Sequence, residues 1–373
     1  MSKWEEKRLE DIIDVNPPVK LKKGESYPFI DIDKVSPTRR SVTNEDVKIY
    51  DGQSSSKFCD GDTVFSRITP CLENRKIAKV AISSDAAFGS TEFYVFRAKK
   101  TKADARFTYY LTSSDAVVLP AINSMTGASG RQRADKRFIQ RLKLNLPDLP
   151  TQERIADILS AYDDLIEANN RRIELLEQTA QELYKEWFVR FRFPGYENAK
   201  FEDGIPEGWE CCRLGKILSF GAGKTRPKSG ETYPVYGGNG ILDYCNNYNS
   251  ENAIIIGRVG VYCGTVYYEP DKCWISDNAL FAESKNSMHF YNYYLLKNMN
   301  LNARQIGTGQ PLITQGLLNK IRILLPSESL MMKYNQIASE LLKQQDLLRK
   351  MNVNIAAQRD MLLPRLMSGK LEV

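Results

Sequence analysis

Between Thr151 and Arg190 the apolar residues recur in unbroken 4-3 steps: Ile155, Leu159, Tyr162, Ile166, Asn169, Ile173, Leu176, Ala180, Leu183 and Trp187. A heptad repeat sustained this long predicts a long helix that buries one seam against a partner helix. The same steps return 182 residues later in Ile337, Leu341, Gln344, Leu348, Met351, Ile355, Gln358 and Leu362, and Ile155-Ala156 is answered by Ile337-Ala338. Asn169 sits mid-seam, where a polar residue either fixes the register of two helices or is tolerated beside solvent. About forty helical residues at ~1.5 Å rise would span about 60 Å, the length of a spacer rod. The first helix is expected to end before Pro194-Gly195, and Pro364 should stop the second.

Each helix follows a larger segment, and those segments also repeat. Trp4-Glu5 and Arg8-Leu9 match Trp209-Glu210 and Arg213-Leu214 at an offset of 205, and Tyr27-Pro28 is answered by Tyr233-Pro234. Strand-like runs follow in both halves, Thr63–Arg67 against Ala253–Arg258 and Glu92–Phe96 against Asn278–Phe281. Aromatic helix-like stretches come next (Phe107–Leu111; Phe290–Leu295), then Gly/Thr loops (Thr126–Gly130; Gly307–Gln310). An alternating strand ending in proline precedes each heptad segment, at Leu142–Pro147 and Ile321–Pro326. The pattern implies an α+β chain built by internal duplication. Residues 1–150 form one globular domain, 151–192 the first long helix, 193–326 a second similar domain, and 327–373 the second long helix and tail.

Charge is unevenly placed along the 373 residues. The net charge is +6 over residues 1–150, −4 over 151–190, and +2 each over 191–326 and 327–373. Basic globular parts on an acidic helix suit a polyanion held by the former and another partner on the latter. A single histidine, His289, excludes metal binding by several histidines and fits a packing role at a helix start. The seven cysteines lack metal-ligand spacing and fit a reduced, cytoplasmic chain. No apolar run reaches membrane length, and the first residues lack a signal-peptide core.

Two motifs look catalytic and fail on inspection. Asn16-Pro17-Pro18-Val19 resembles the signature that pins an exocyclic amine in amino-methyltransferases, but its aromatic residue is missing. Phe220-Gly221-Ala222-Gly223-Lys224-Thr225 lacks the first glycine of a phosphate-binding loop, because Leu218 stands there. Lys224, Arg226 and Lys228 then form either a basic loop on backbone phosphates or ordinary solvated charge. No nucleophile–base pair or carboxylate pair stands out, so the chain is not expected to be an enzyme by itself.

Other features suit reading of DNA. In Ser129–Arg137, Arg131, Gln132, Arg133 and Lys136 combine side chains that make bidentate base-edge contacts with side chains that hold phosphates. Arg304, Gln305, Thr308 and Gln310 stand at the equivalent place in the second half. Lys57, Arg67, Arg75 and Lys76 are further candidates in the first half, with Tyr236, Asn239 and Arg258 as counterparts in the second. A charged surface loop is the alternative for each residue taken singly.

These residues resemble the specificity (S) subunits of type I restriction–modification systems along essentially the whole chain. The most specific segments are Leu146-Pro147 through Thr151-Gln152-Glu153-Arg154-Ile155-Ala156-Asp157-Ile158-Leu159-Ser160, then Asp164–Glu167, Arg67–Asn74 and Leu366–Leu371. Ser327–Tyr334 departs from the usual Pro-x-x-x-x-Gln lead into the second helix. The resemblance implies two target recognition domains, each reading half of a bipartite site in double-stranded DNA. It implies that the two long helices pair as an antiparallel coiled coil with pseudo-two-fold symmetry, setting the gap between half-sites. It implies docking of two methyltransferase (M) and two restriction (R) subunits, which would carry S-adenosylmethionine, ATP and Mg, leaving this chain without a cofactor. A self-sufficient DNA methyltransferase and a coiled-coil adaptor without DNA contact are the rival readings.

Overall fold

The structure, a computed structural model, describes residues 4–43, 46–304 and 311–373. It divides into two compact units, residues 1–169 with 351–373 and residues 170–350. Each unit thus combines a globular part with a stretch of both long helices.

In the first unit a five-stranded sheet runs in the order Ile13–Val15, Phe93–Ala98, Thr63–Ser66, Ile77–Ala81, Ser41–Thr43. A four-stranded sheet runs Asp46–Ile49, Ser26–Ile30, Ala87–Gly89, Ser56–Phe58. Alternation along the strands separates two cores. Val64, Ala78, Val80, Phe93 and Val95 pack with Ile30, Phe58 and Ala87 of the other sheet. Their neighbours Phe65, Ile77, Tyr94 and Phe96 join Phe107, Tyr110 and Leu111 from helix Ala105–Ser113, with Ile155, Leu159 and Leu366 from the long helices. Covered on both faces, Thr63–Ser66 is wholly buried, which is why its sequence reads as a continuous run rather than an alternation.

The second unit carries one six-stranded sheet, ordered Leu218–Ala222, Ala279–Ser284, Ser250–Gly257, Val266–Ile275, Tyr233–Gly237, Gly240–Cys245. An aromatic core joins its helix His289–Asn298 to both long helices through Tyr184, Phe188, Tyr291, Tyr294 and Tyr334. The framework of the first unit recurs here. Trp4–Arg8 pairs antiparallel with Lys143–Pro147, and Glu210–Arg213 pairs antiparallel with Arg322–Leu325. At matching points Leu9 N–H donates to the Leu142 carbonyl (2.9 Å) and Leu214 N–H to that of Ile321 (2.8 Å). A tyrosine of the short aromatic helix then donates to an acid of the first long helix: Tyr110 to Asp163 at 2.5 Å, Tyr294 to Glu177 at 3.0 Å.

The first long helix spans Leu149–Tyr184 and widens to π-type turns over Lys185–Val189. The second spans Glu328–Met367 and passes through Pro364 instead of stopping there. So near the end proline removes little of the hydrogen-bond ladder, and Leu366, fully buried just beyond it, holds the last residues in place. The helices are antiparallel: in the first unit Asp163 pairs with Arg359 and Asn169 Nδ2 donates to Asn352 Oδ1 (2.9 Å). In the second unit Tyr334 donates to the Ala180 carbonyl (2.8 Å) and Gln345 to Glu177 (3.4 Å).

On the first helix Ile155, Leu159 and Asn169 are buried, and Tyr162, Ile166, Ile173 and Leu176 are half-buried. The second helix corrects the expected seam. Ile337 and Met351 are 39% and 41% exposed. Leu341, Leu348, Ile355 and Leu362 stay half-buried, but the intervening places belong to Ala338, Gln345, Asn352 and Arg359, one residue further on. Apolar character picked the wrong flank because three of the four true positions are polar, each tied to a polar group of the facing helix.

Candidate nucleic-acid interface

Strand Thr63–Ser66 ends at Arg67, and a loop carrying Arg131, Gln132 and Arg133 docks on the following turn. Ile68 bridges Arg133, and Thr69 N–H donates to the Gln132 carbonyl (3.0 Å) while Gln132 N–H donates to Thr69 Oγ1 (3.1 Å). Two further bonds fix Arg67: its N–H donates to the Glu92 carbonyl (2.9 Å) and its carbonyl accepts from Ala134 N–H (2.8 Å). The second unit repeats this junction. Arg258 N–H donates to the Asn278 carbonyl (3.1 Å), its carbonyl accepts from Ile313 N–H (3.0 Å), and Val259 bridges Leu312. After each junction a side-chain cap starts a short helix: Asp135 before Lys136–Gln140 and Thr314 before Gln315–Lys320. The duplicated chain therefore presents one arginine per unit at the same backbone position.

The side chains around the first junction are tied together by an acid. Arg133 donates to Glu92 from Nε (2.9 Å) and Nη2 (2.6 Å), and Arg67 donates from Nε to the same carboxylate (3.2 Å). The bonds from Arg133, reinforced by the charge of Arg67, hold the Glu92 carboxyl below its usual range. Arg131 is exposed on this loop, and Lys136, which opens the helix after it, is half-buried. Lys57 lies 4.9 Å from the Tyr50 ring. Arg75 stays exposed while donating to the Ser113 carbonyl and pairing with Asp115, whereas Lys76 turns inward and donates to the Ile32 carbonyl (3.0 Å).

In the second unit Lys224, Lys228, Asn239 and Arg304 are placed toward solvent and Arg258 is half-buried. Arg226 pairs with Asp243 at 2.7 Å. Hydrogen bonds from Ser229, the Tyr244 backbone and Arg226 lower the Asp243 carboxyl to about 2. Tyr236 is corrected: it is only 7% exposed, its hydroxyl donates to Glu269 (2.8 Å), and it faces the core on its strand. Gln305, Thr308 and Gln310 lie outside the described residues. The glycines that suggested a phosphate loop answer to packing, since a Cβ at Gly223 would lie 2.0 Å from the Ser276 carbonyl oxygen. His289 packs against Tyr268 and Phe290, and burial lowers its pKa.

Glu92 and Tyr94 escaped a reading of the sequence that looked for cations. The signal was present as an acid opening a strand opposite Arg67. Among the described residues no group of three or more His, Cys, Asp or Glu side chains is placed to hold a metal ion. No helix among them is long and apolar enough to cross a membrane.

Comparison with known proteins matches this doubled layout. The type I restriction modification DNA specificity domain matches residues 1–178 and again 206–353. The type I restriction enzyme MjaIX specificity subunit of Methanocaldococcus jannaschii is 23% identical, covering 99% of this chain and 94% of that protein. The putative MjaX specificity subunit of the same organism is 27% identical over the same shares. The crystal structure of a type I restriction–modification S subunit from M. genitalium shares the fold, with a TM-score of 0.55 at 17% identity, covering 98% of this chain and 96% of that one. With the specificity domain matched twice and the same junction built twice, the chain belongs to the type I restriction–modification DNA specificity family.

Proposed function

We propose that the chain is the non-catalytic sequence-specificity subunit of a cytoplasmic type I restriction–modification enzyme, each unit reading one half of a bipartite site in double-stranded DNA. The repeated junction, with Arg67 and Arg258 fixed by the same backbone bonds and Arg67 set beside a loop bearing Arg131, Gln132 and Arg133, is the observation that carries this reading. Arg131, Gln132, Lys136, Lys224, Lys228, Asn239 and Arg304 supply the remaining DNA contacts, and the long helices set the distance between half-sites. The helices also dock two methyltransferase subunits, with restriction subunits joining them. Exposed Leu165 and Leu175 on the first helix, and Leu347, Val353 and Met361 on the second, offer apolar surface for that docking. S-adenosylmethionine, ATP and Mg belong to those partners.

Methylated-site mapping of the complex with its methyltransferase subunits tests the reading, which expects a bipartite motif with a fixed gap. Incubated alone with labelled S-adenosylmethionine and DNA, the purified chain transfers no methyl group; transfer would overturn the non-catalytic assignment. The joint Arg131→Ala and Lys136→Ala substitution weakens binding to every duplex alike. It lowers the slope of log affinity against log salt by about 2, roughly 0.9 for each phosphate no longer neutralised. An unchanged slope would remove these residues from the interface.

A further inference from the structure

We propose that Arg67 and Arg133, braced by Glu92, form a guanine-reading fork for the half-site of the first unit, with Glu92 as the positioning residue. The proposal rests on the specificity reading above and names the chemistry by which one of its half-sites is read.

Three observations carry it. First, the cluster is built rather than merely basic. Glu92, with 20% of its side chain exposed, lies behind Arg67 (29%) and Arg133 (44%) and accepts from both. Second, the arginines are held by more than that carboxylate. The Arg67 guanidinium lies 5.4 Å from the centre of the Tyr94 ring, and the Tyr94 hydroxyl donates to the Ala134 carbonyl (2.7 Å), pinning the loop that carries Arg133. Third, donors remain. Glu92 engages Arg67 through Nε, leaving its two Nη groups without an acceptor among the described residues, and Arg133 Nη1 only grazes the Arg131 carbonyl at 3.5 Å.

A guanidinium held at one edge presents its other N–H groups as a planar fork, the geometry that pairs with N7 and O6 of guanine in the major groove. Its rotamers are already restricted, so binding surrenders less freedom than it would for a loose arginine. A phosphate is the poorer ligand here, because the Glu92 carboxylate repels it and reduces the three-residue cluster to a net charge of +1. Exposed Arg131 and Arg137, which have no carboxylate partner among the described residues, suit phosphates better. Among the described residues the second unit lacks the brace: Asn278 occupies the place of Glu92, and the Arg258 side chain donates to the Asp277 carbonyl at 3.4 Å without a carboxylate partner. The carboxylate effect is therefore confined to one half-site.

The test uses the complex with its methyltransferase subunits, reading methylated sites, duplex affinity against salt, and melting temperature. Glu92→Gln should reduce the preference for guanine at one position of one half-site about tenfold or more. With Arg133 released toward the backbone, the salt slope should steepen by about 0.9, one phosphate. Arg133→Ala should relax the same half-site, Arg258→Ala should affect the other, and Glu92→Asp should restore part of the preference. The proposal is overturned if Glu92→Gln leaves the half-site letters unchanged, or if both half-sites weaken together with a fall in melting temperature, as a purely structural ion pair would give. A wild-type complex that leaves no bipartite methylated motif would sink the specificity reading itself, a result distinct from either.

Discussion

An Arg359→Ala chain should lose about 3–5 kcal/mol of stability in its first unit while its second unit unfolds as before. Asp163 has 3% of its side chain exposed, and Arg359 neutralises it from the facing helix. Removing the cation leaves the acid with the Tyr110 hydroxyl, 2.5 Å away, as its hydrogen-bond donor. Truncating one partner of a buried pair is costly because the other charge stays desolvated and unpaired. Urea unfolding followed by hydrogen exchange resolves the two units. A loss below about 1 kcal/mol would mean that water reaches Asp163 as readily as it reaches a surface acid. The double replacement Asp163→Leu with Arg359→Met should recover most of the stability, since an apolar pair of similar volume needs no ion pairing.

The second large effect concerns the distance between half-sites. Paired insertion of one heptad after Asn169 and one before Asn352 should lengthen the gap by about three base pairs, since seven residues add about 10 Å of helix and each base pair rises about 3.4 Å. Both half-site sequences should stay unchanged. Insertion into the first helix alone behaves differently. It costs one set of pairs its register by about two turns, parting Asn169 from Asn352 and Asp163 from Arg359, or else Glu177 from Gln345, and leaves polar groups on the seam without partners. That chain should assemble poorly and methylate weakly. Site mapping decides: altered half-site letters after paired insertion, or an unchanged gap, would end the idea that the helices act as a ruler.

The long helices and the aromatic helices were legible because each follows a period or a repeat visible in one dimension; the repeat opened by Trp4 and Trp209 showed recurrence, but not that strands Trp4–Arg8 and Glu210–Arg213 follow from it. On the first helix the seam residues Ile155, Leu159, Ile166 and Ile173 are apolar, buried or half-buried, and so follow a readable period. On the second the inward residues Gln345, Asn352 and Arg359 are polar and sit inward because the opposing helix offers Glu177, Asn169 and Asp163. That compensation is invisible until both helices are seen together. The interface shows the same division. A cation count located the Ser129–Arg137 loop, but only geometry distinguishes Arg133, held by Glu92, from Arg131 in solvent, or reveals that Tyr236 faces the core. Unequal sheets in the two units, of five and four strands against six, were also out of reach, because short strands between turns carry no mark of their partners.

The first unit is discontinuous: residues 351–373 complete the stretch that ends at Asn169, and Leu366 lies in its core. On the ribosome, then, the amino-terminal module emerges early yet must wait for the last residues of the chain before it can close. The later-made module, an unbroken stretch from Asn170 to Lys350, is complete first. Order of synthesis and order of folding run in opposite directions, so a prematurely terminated polypeptide would release its second reader intact and its first one open.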